Sequence, residues 1–481
     1  MHPVTGRSLL AVLAGMLALA AVDATAQPST YGVQFVSTAA YGSAMNAQGM
    51  AAGVRFRLPP GCTPSTCLGV AEAVVWSGGT ATVLPLIAGY PTVTPVGINA
   101  SGWVAGYAGD PTSTGARAVV WKPTATGYTA INLGVLPGTL SSWAAGIDDQ
   151  GRAIGWSTTG GGIPTATAPF VWTEADGLVD LSAQGFPNEL PLAVSPGGAV
   201  ATPSHWYRVD DPASVALLAP RPSGFSGPGN FPAAINDAGD QVRFLLSTFP
   251  PLGRPYLFRY HGASATWKQI WPLSAQSLFG IGGINAQGDV TASMNGVGLL
   301  AAGPDGVAQP LSPRLSPAYT GDADPFTNLV PTAGPINDSG QILARVVIGR
   351  GPRLVRLVAA EACASGCVRV ASIQMTGRMF SDPPGYCTPE AYNEVTALLR
   401  FTSEDGTPLR RAAVRARFLD EYYLDEPVVG TAGFNGAVHF FHVGPACVGA
   451  TSILVEEVTQ ARNRRLDRTT GELADSVIPE P

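Results

Sequence analysis

Charge is scarce in this chain. Asp, Glu, Lys and Arg make up 13% of its 481 residues, and the net charge at neutral pH is -6. No basic cluster is large enough to track a phosphate backbone, which excludes a nucleic-acid footprint. The densest basic stretch, 462–468, is short and broken by Asp467. Histidine is equally thin. Beyond His2 there are only His205, His261, His439 and His442. That leaves few candidates for a nucleophile activated by imidazole. Long apolar runs are missing except at the N-terminus, so the rest of the chain has no segment fit to cross a bilayer as a helix.

The N-terminal run reads as a targeting segment. Arg7 supplies positive charge, Ser8 to Val22 is nearly all apolar, and Ala24-Thr25-Ala26 fits the small-x-small cleavage rule. The run is shorter than the ~20 apolar residues a membrane span requires. No Cys sits at the cleavage point, which argues against a lipid anchor. Residues 1–26 are read as a signal peptide, with Gln27 as the mature start. The protein is expected in the periplasm, at the cell surface or in the medium.

Only six cysteines are present, and an even number suits an oxidising compartment. Cys62 and Cys67 flank a short tip and are expected to close one small loop. Cys363, Cys367, Cys387 and Cys447 allow three connectivities, of which Cys363 with Cys367 and Cys387 with Cys447 is the expected one. A zinc site is the competing reading. It needs reduced thiols, which an exported chain disfavours.

What the chain has in abundance is turn formers, 58 Gly and 42 Pro, and a recurring phrase. The phrase runs apolar or small residue, Asn or Asp, two variable residues, Gly. Its copies are Met45-Asn46-Ala47-Gln48-Gly49, Ile98-Asn99-Ala100-Ser101-Gly102, Ile147-Asp148-Asp149-Gln150-Gly151, Ile235-Asn236-Asp237-Ala238-Gly239, Ile284-Asn285-Ala286-Gln287-Gly288 and Ile336-Asn337-Asp338-Ser339-Gly340. A weaker copy is Val194-Ser195-Pro196-Gly197-Gly198. The second positions recur every 41 to 53 residues. Asx followed three residues later by Gly suits a type I turn ending in a left-handed glycine, a standard hairpin connection.

Apolar strands ending in Trp76, Trp121 and Trp172 follow the early copies, and Leu-rich segments come next. That makes about four short strands per copy, the content of one propeller blade. Seven copies predict seven blades. Tyr31 to Ser37 reads as a strand without a blade of its own, and is expected to complete the last blade and close the ring.

These repeats resemble the bacterial extracellular HAF family. The resemblance rests on Leu133-Gly134-Val135-Leu136-Pro137-Gly138 and Ala144-Ala145-Gly146-Ile147-Asp148, and is closest over Val96 to Leu181. The naming His-Ala-Phe is replaced by Glu72-Ala73-Val74, Arg117-Ala118-Val119 and Ala168-Pro169-Phe170. The resemblance implies an exported propeller-like array and lends no active site.

After Leu357 the rhythm changes. Val395 to Phe401, Ala413 to Leu419, Ala437 to Val443 and Ser452 to Val458 alternate like strands, separated by turns. Pro408-Leu409, Ala412-Ala413-Val414, and Gly430-Thr431-Ala432 leading into Asn435-Gly436-Ala437-Val438-His439-Phe440 resemble bacterial immunoglobulin-like modules. The expected architecture is all-β. A seven-bladed β-propeller over 27–358 precedes a small immunoglobulin-like β-sandwich over 359–461 and a polar tail over 462–481.

Candidate chemistry is sparse. Gly224-Phe225-Ser226-Gly227-Pro228 departs from a nucleophile elbow at its last position and lacks strand-to-helix context. His439 and His442 sit three apart on a strand and should face opposite ways. Asp322 and Asp324 could contribute to a Ca²⁺ loop, but lack the further ligands such a loop supplies, so no cofactor is expected. Glu72, Asp180 and Glu189 occur singly. Trp103, Trp143 and Trp156 lie near turns and are the candidates for stacking on a ligand.

The leading expectation is an exported noncatalytic propeller for recognition or adhesion, with an extracellular glycan or protein as ligand. The lean is away from an enzyme. The alternative is a carbohydrate-active hydrolase or lyase whose acids converge on the propeller face.

Overall fold

A computed structural model of the chain describes residues 30–477 except 39, 58–68, 110–114, 161–166, 227–232, 249–252, 272–278, 295–296, 317–331, 349–350, 361–365, 382–390, 420–424, 446–450, 460–464 and 468–472. The protein is all-β, built of small sheets that are antiparallel except where Arg465–Leu466 pairs parallel with Cys367–Phe380; among the described residues, two single-turn 3₁₀ segments lie at Ser182–Gln184 and Ser312–Arg314. Among the described residues, seven sheets lie between 31 and 359 and two between 367 and 477.

Each early sheet follows the chain. Val93–Ile98, Val104–Ala108, Arg117–Thr124 and Gly127–Asn132 pair in that order, and the other sheets repeat the plan. One sheet has five strands, because Phe225–Ser226 and Ala233–Ile235 both pair with Gln241–Ser247. The strand Tyr31–Thr38 pairs antiparallel with Gly351–Ala359, placing Tyr31 opposite Ala359. The first described strand thus becomes the edge of the last early sheet. The first strands of successive sheets touch their neighbours in a closed circuit, from Ala40–Met45 round to Thr332–Ile336 and back.

The repeated phrase makes this circuit. Gly49, Gly102, Gly151, Gly198, Gly239, Gly288 and Gly340 all have φ between 71° and 86°, a region that costs an L side chain strain. Each Gly N–H donates to the carbonyl of the residue three before it at 2.9–3.1 Å. The Asx or Ser side-chain oxygen accepts the N–H four residues on, as in Met50 to Asn46 at 2.9 Å and Ala199 to Ser195 at 2.8 Å. So far this is the expected turn.

The other end of the carboxamide reaches out of the turn. Nδ2 of Asn46 donates to the Asn99 carbonyl at 2.9 Å, Asn99 to Asp148 at 3.0 Å, and Asn236 to Asn285 at 3.1 Å. Asn285 donates to Asn337 at 3.3 Å, and Asn337 returns to Asn46 at 3.1 Å. Asp148 and Ser195 have no amide to donate. There the link is made by Asp149 N–H to the Pro196 carbonyl at 2.8 Å and by Gly197 N–H to Asp237 Oδ1 at 2.7 Å. The Asp148 carboxylate, fully buried, is compensated by Arg152 Nε at 2.6 Å. Trp76, Trp121 and Trp172 are buried between sheets, and Trp121 Nε1 donates to the Pro85 carbonyl at 2.9 Å.

The C-terminal module has two four-stranded sheets. One runs Ala437–Pro445, Tyr392–Ser403, Cys367–Phe380, Arg465–Leu466, and the other Asp425–Thr431, Ala413–Leu419, Thr451–Thr459, Ala474–Val477. A single buried cluster joins Val355 and Leu357 of the last early sheet to Val368, Phe401, Val414 and Phe418 of the module. The strand Cys367–Phe380, 14 residues long, was not expected, because Gln374, Thr376 and Arg378 mask its alternation. The stretch read as a solvated tail also differs. It contributes two short strands, with Asp467 at 2% and Leu473 at 0% exposure, and Arg369 lies beside Asp467. Two buried anchors suffice to dock a segment that is polar overall.

The three-bridge cysteine scheme is cut back to what one cysteine shows. No cysteine pair is defined among the described residues, because Cys62, Cys67, Cys363, Cys387 and Cys447 lie outside them. Cys367 is disulfide-bonded. The signal peptide and Asp322 and Asp324 also lie outside the described residues.

Asn337→Ala tests the circuit. It removes one of the two donors to the Asn46 carbonyl, Gly49 N–H being the other, and leaves the Gln341 N–H without its acceptor in a partly buried setting, which costs about 1–3 kcal/mol. Urea unfolding is expected to show a lowered midpoint. An unchanged midpoint would count against the amide links.

Candidate active site

Of the places that gather polar groups among the described residues, two bear on chemistry. The first is the opening framed by the first strands of the seven early sheets, a space of about 350 Å³. Asp149, Asp237 and Asp338 line it. Each carboxylate is already used. Their Oδ1 atoms accept backbone N–H from Ala100, Gly197 and Ala286, each at 2.7 Å. They tie one copy of the phrase to the preceding one. Among the described residues, no group of three His, Cys, Asp or Glu is arranged to hold a metal ion.

The second place is built around Glu189. The turn Thr202-Pro203-Ser204 links the strands Ala199–Ala201 and His205–Arg208. Pro203 fixes the turn, and its neighbours aim four donors at one carboxylate. Thr202 Oγ1 donates to Glu189 Oε2 at 2.6 Å, and Ser204 N–H to the same oxygen at 3.1 Å. Ser204 Oγ donates to Oε1 in a short contact. His205 Nδ1 lies 3.1 Å from Oε1. Burial alone would raise the Glu189 carboxyl, but hydrogen bonds from Ser204 and Thr202, with His205 nearby, hold it below the usual carboxylate range.

That geometry fixes the imidazole. An ionised Glu189 accepts a hydrogen bond from Nδ1, which turns the other ring nitrogen, Nε2, away from the carboxylate; Nε2 has no hydrogen-bond partner among the described residues. Ser204 Oγ lies on the Nδ1 side, 3.2 Å away, so it is not a nucleophile activated by Nε2. The arrangement suits proton transfer.

A cavity of about 170 Å³ adjoins the turn, lined by Pro203, Ser204, Leu217, Arg221, Arg243 and Trp267 among others. His205 stands directly opposite Leu217 in antiparallel register, so both side chains share that face of the sheet. The far wall belongs to the next sheet, which carries Arg243 and Trp267. Arg243 is 8% exposed. Its guanidinium donates to Gln241 Oε1 at 2.6 and 2.9 Å, to the Thr202 carbonyl at 2.5 Å and to the Pro203 carbonyl at 3.2 Å. Burial, helped by Arg221 and opposed by Glu189, pushes the Arg243 guanidinium down to about 10.

The other imidazoles are poorer candidates. His261 Nδ1 is 3.9 Å from Asp240, too far for a hydrogen bond. His442 is 5% exposed, bonded to Glu426 at 2.5 Å, and ties together the edge strands of the two module sheets. His439 is exposed, so the two do face opposite ways as expected.

The tryptophan candidates divide. Trp143 is 3% exposed and stacks on its cross-strand partner Trp156, with centroids 5.8 Å apart. Trp103 is half-buried over the Gly151 turn, with Lys122 Nζ 4.7 Å from its ring. None of the three lines the cavity beside His205. The sequence hid that cavity. Of the pair beside it, the carboxylate lies 16 residues before the imidazole, and Arg243 in its wall comes from another sheet. The scarcity of histidine was the one usable signal.

No protein family matches the chain, so the HAF resemblance leads to no family assignment. No curated protein matches it either. Among solved structures, it is similar to a GH74 xyloglucanase from Xanthomonas campestris, with 14% identity and a TM-score of 0.39 over 77% of this chain. The chain spans 59% of that enzyme's length. A gluconolactonase from the same organism gives 12% identity and a TM-score of 0.34, covering 69% of this chain and 91% of that one. The polysaccharide lyase Uly1 gives 9% and 0.33, covering 67% and 78%. Likenesses this distant carry neither substrate nor mechanism to this chain. The lean away from an enzyme is not kept: the solved structures to which the chain is similar are largely those of enzymes, and at these scores the likeness gives this chain no activity either way.

Glu189→Gln tests the cluster through pH. The lowered Glu189 pKa contributes stability that is present above its ordinary value of 4.5 and is lost as pH falls below it. Urea midpoints of the native chain should therefore fall more steeply than those of the variant between pH ~6 and ~3. Parallel curves would count against the bonding described.

Proposed function

We propose that the chain is an exported carbohydrate-active hydrolase or lyase whose acid–base centre is the Glu189–His205 pair. The seven early sheets are read as blades of a β-propeller, and residues 367–477 as an appended β-sandwich. Export rests on the N-terminal segment and its small-x-small site. No helix among the described residues is long and apolar enough to cross a membrane.

One observation carries the reading. An imidazole is locked through Nδ1 onto an ionised carboxylate, its Nε2 is unengaged, and it shares a sheet face with Leu217, which lines a cavity walled by Trp267. An aromatic wall suits the apolar face of a sugar ring. Hydrolysis of a glycosidic bond by protein side chains usually takes two carboxylates facing each other across it. Here one carboxylate supports one imidazole, which favours the lyase branch. His205 Nε2 takes a proton from a sugar carbon, the electron pair of that C–H bond forms a C=C bond, and the glycosidic C–O bond breaks. The departing oxygen then takes a proton from the imidazolium or from water.

A panel of neutral and acidic polysaccharides tests this by release of reducing or unsaturated ends. His205→Ala is expected to lower turnover by about 10²–10⁴-fold. The proposal falls if no substrate in the panel is cut, or if the variant retains full turnover.

A further inference from the structure

The cavity beside His205 has a charge problem. Arg221 and Arg243 both line it, and Arg221 depresses the ionisation of Arg243 by repulsion. Arg243 is held only by neutral oxygens, those of Gln241, Thr202 and Pro203. Neither guanidinium forms an ion pair among the described residues. The nearby carboxylate, Glu189, is already committed to Thr202, Ser204 and His205. A buried charge without a counterion is costly, and chains normally pair it. An anionic ligand would supply what the fold does not.

We infer that the cavity bounded by Arg221, Arg243 and Trp267 is a subsite for the acidic group of a charged saccharide, held beside the Glu189–His205 pair. This rests on the reading of that pair as an acid–base centre. The volume of about 170 Å³ is below that of a site enclosing a whole drug-sized ligand, so it fits one acidic sugar unit of a longer chain. The chemistry sought is an oxyanion with two oxygens presented to guanidinium donors, a carboxylate or a sulfate ester. Trp267 offers the ring a face. Its Nε1 is tied to the Ala219 carbonyl at 3.0 Å, which holds it in place. The inference also joins two halves of the chemistry. A guanidinium that neutralises a sugar carboxylate makes the adjoining C–H bond more acidic, and Nε2 of His205 is the base on that face of the sheet.

The test uses the full chain and four probes: oligogalacturonate, the same oligomer methyl-esterified, dextran sulfate, and dextran. Binding is measured by calorimetry and scored apart from end release. Oligogalacturonate is expected to bind, and to bind about tenfold more weakly on esterification or in Arg221→Gln. Added salt should weaken it further. Arg221 is exposed, so its loss should spare the fold, whereas Arg243 holds the Thr202 turn. Arg221-dependent binding of dextran sulfate alone would support the subsite and name sulfate as its group. Equal binding of acidic and esterified oligomers, or no binding of either acidic probe, overturns the inference. Acidic oligomers bound through Arg221 but never cut would leave the subsite standing and sink the catalytic reading. Neutral chains cut with no effect of Arg221→Gln would do the reverse.

Discussion

The carboxamide of the repeated asparagine is the interaction on which the early sheets depend. Its oxygen shapes the turn in which it sits, and its nitrogen reaches the backbone of the next turn. An aspartate, which has no proton to give, can do the first task only. One small side chain therefore joins local structure to the arrangement of sheets. Because all seven positions are buried at 5% exposure or less, each bond forms away from competing water. The last link, from Asn337 to Asn46, spans 291 residues of sequence and closes the circuit of turns.

The irregular copies matter as much as the regular ones. At Asp148 and Ser195 the amide is lost, and a buried ion pair and two backbone donors take over. The fourth copy is also the shortest to its successor, and its second strand, Ala199–Ala201, has only three residues. The chain leaves that strand early into Thr202-Pro203-Ser204. The polar cluster on Glu189 and the neighbouring cavity arise there. Where the repeat relaxes its hold, side chains are released from packing and become available for chemistry.

How far the residues foretold this varies by element. The seven turns were legible, because Asx and Gly at fixed spacing have few conformational options and Gly φ values of 71–86° follow from them. The added first strand was legible too, since Tyr31 to Ser37 alternates and had no partner nearby. The strand Cys367–Phe380 was not, because polar residues fill its exposed face. Nor was the docking of Asp467 and Leu473, since two buried residues make no pattern. Trp143 looked available near a turn, yet register set it against Trp156 in the interior.

The sequence by itself determined the turns, the strand rhythm and the number of repeated units, because these follow from interactions within a few residues. It also determined that His205 would be one of very few imidazoles. Only the tertiary structure decided what that imidazole meets. Glu189 reaches it from a separate loop, and the cavity beside the neighbouring Ser204 takes Arg243 and Trp267 from the next sheet. Charges that are strangers in sequence acquire their chemistry from burial and distance, and those belong to the folded chain alone.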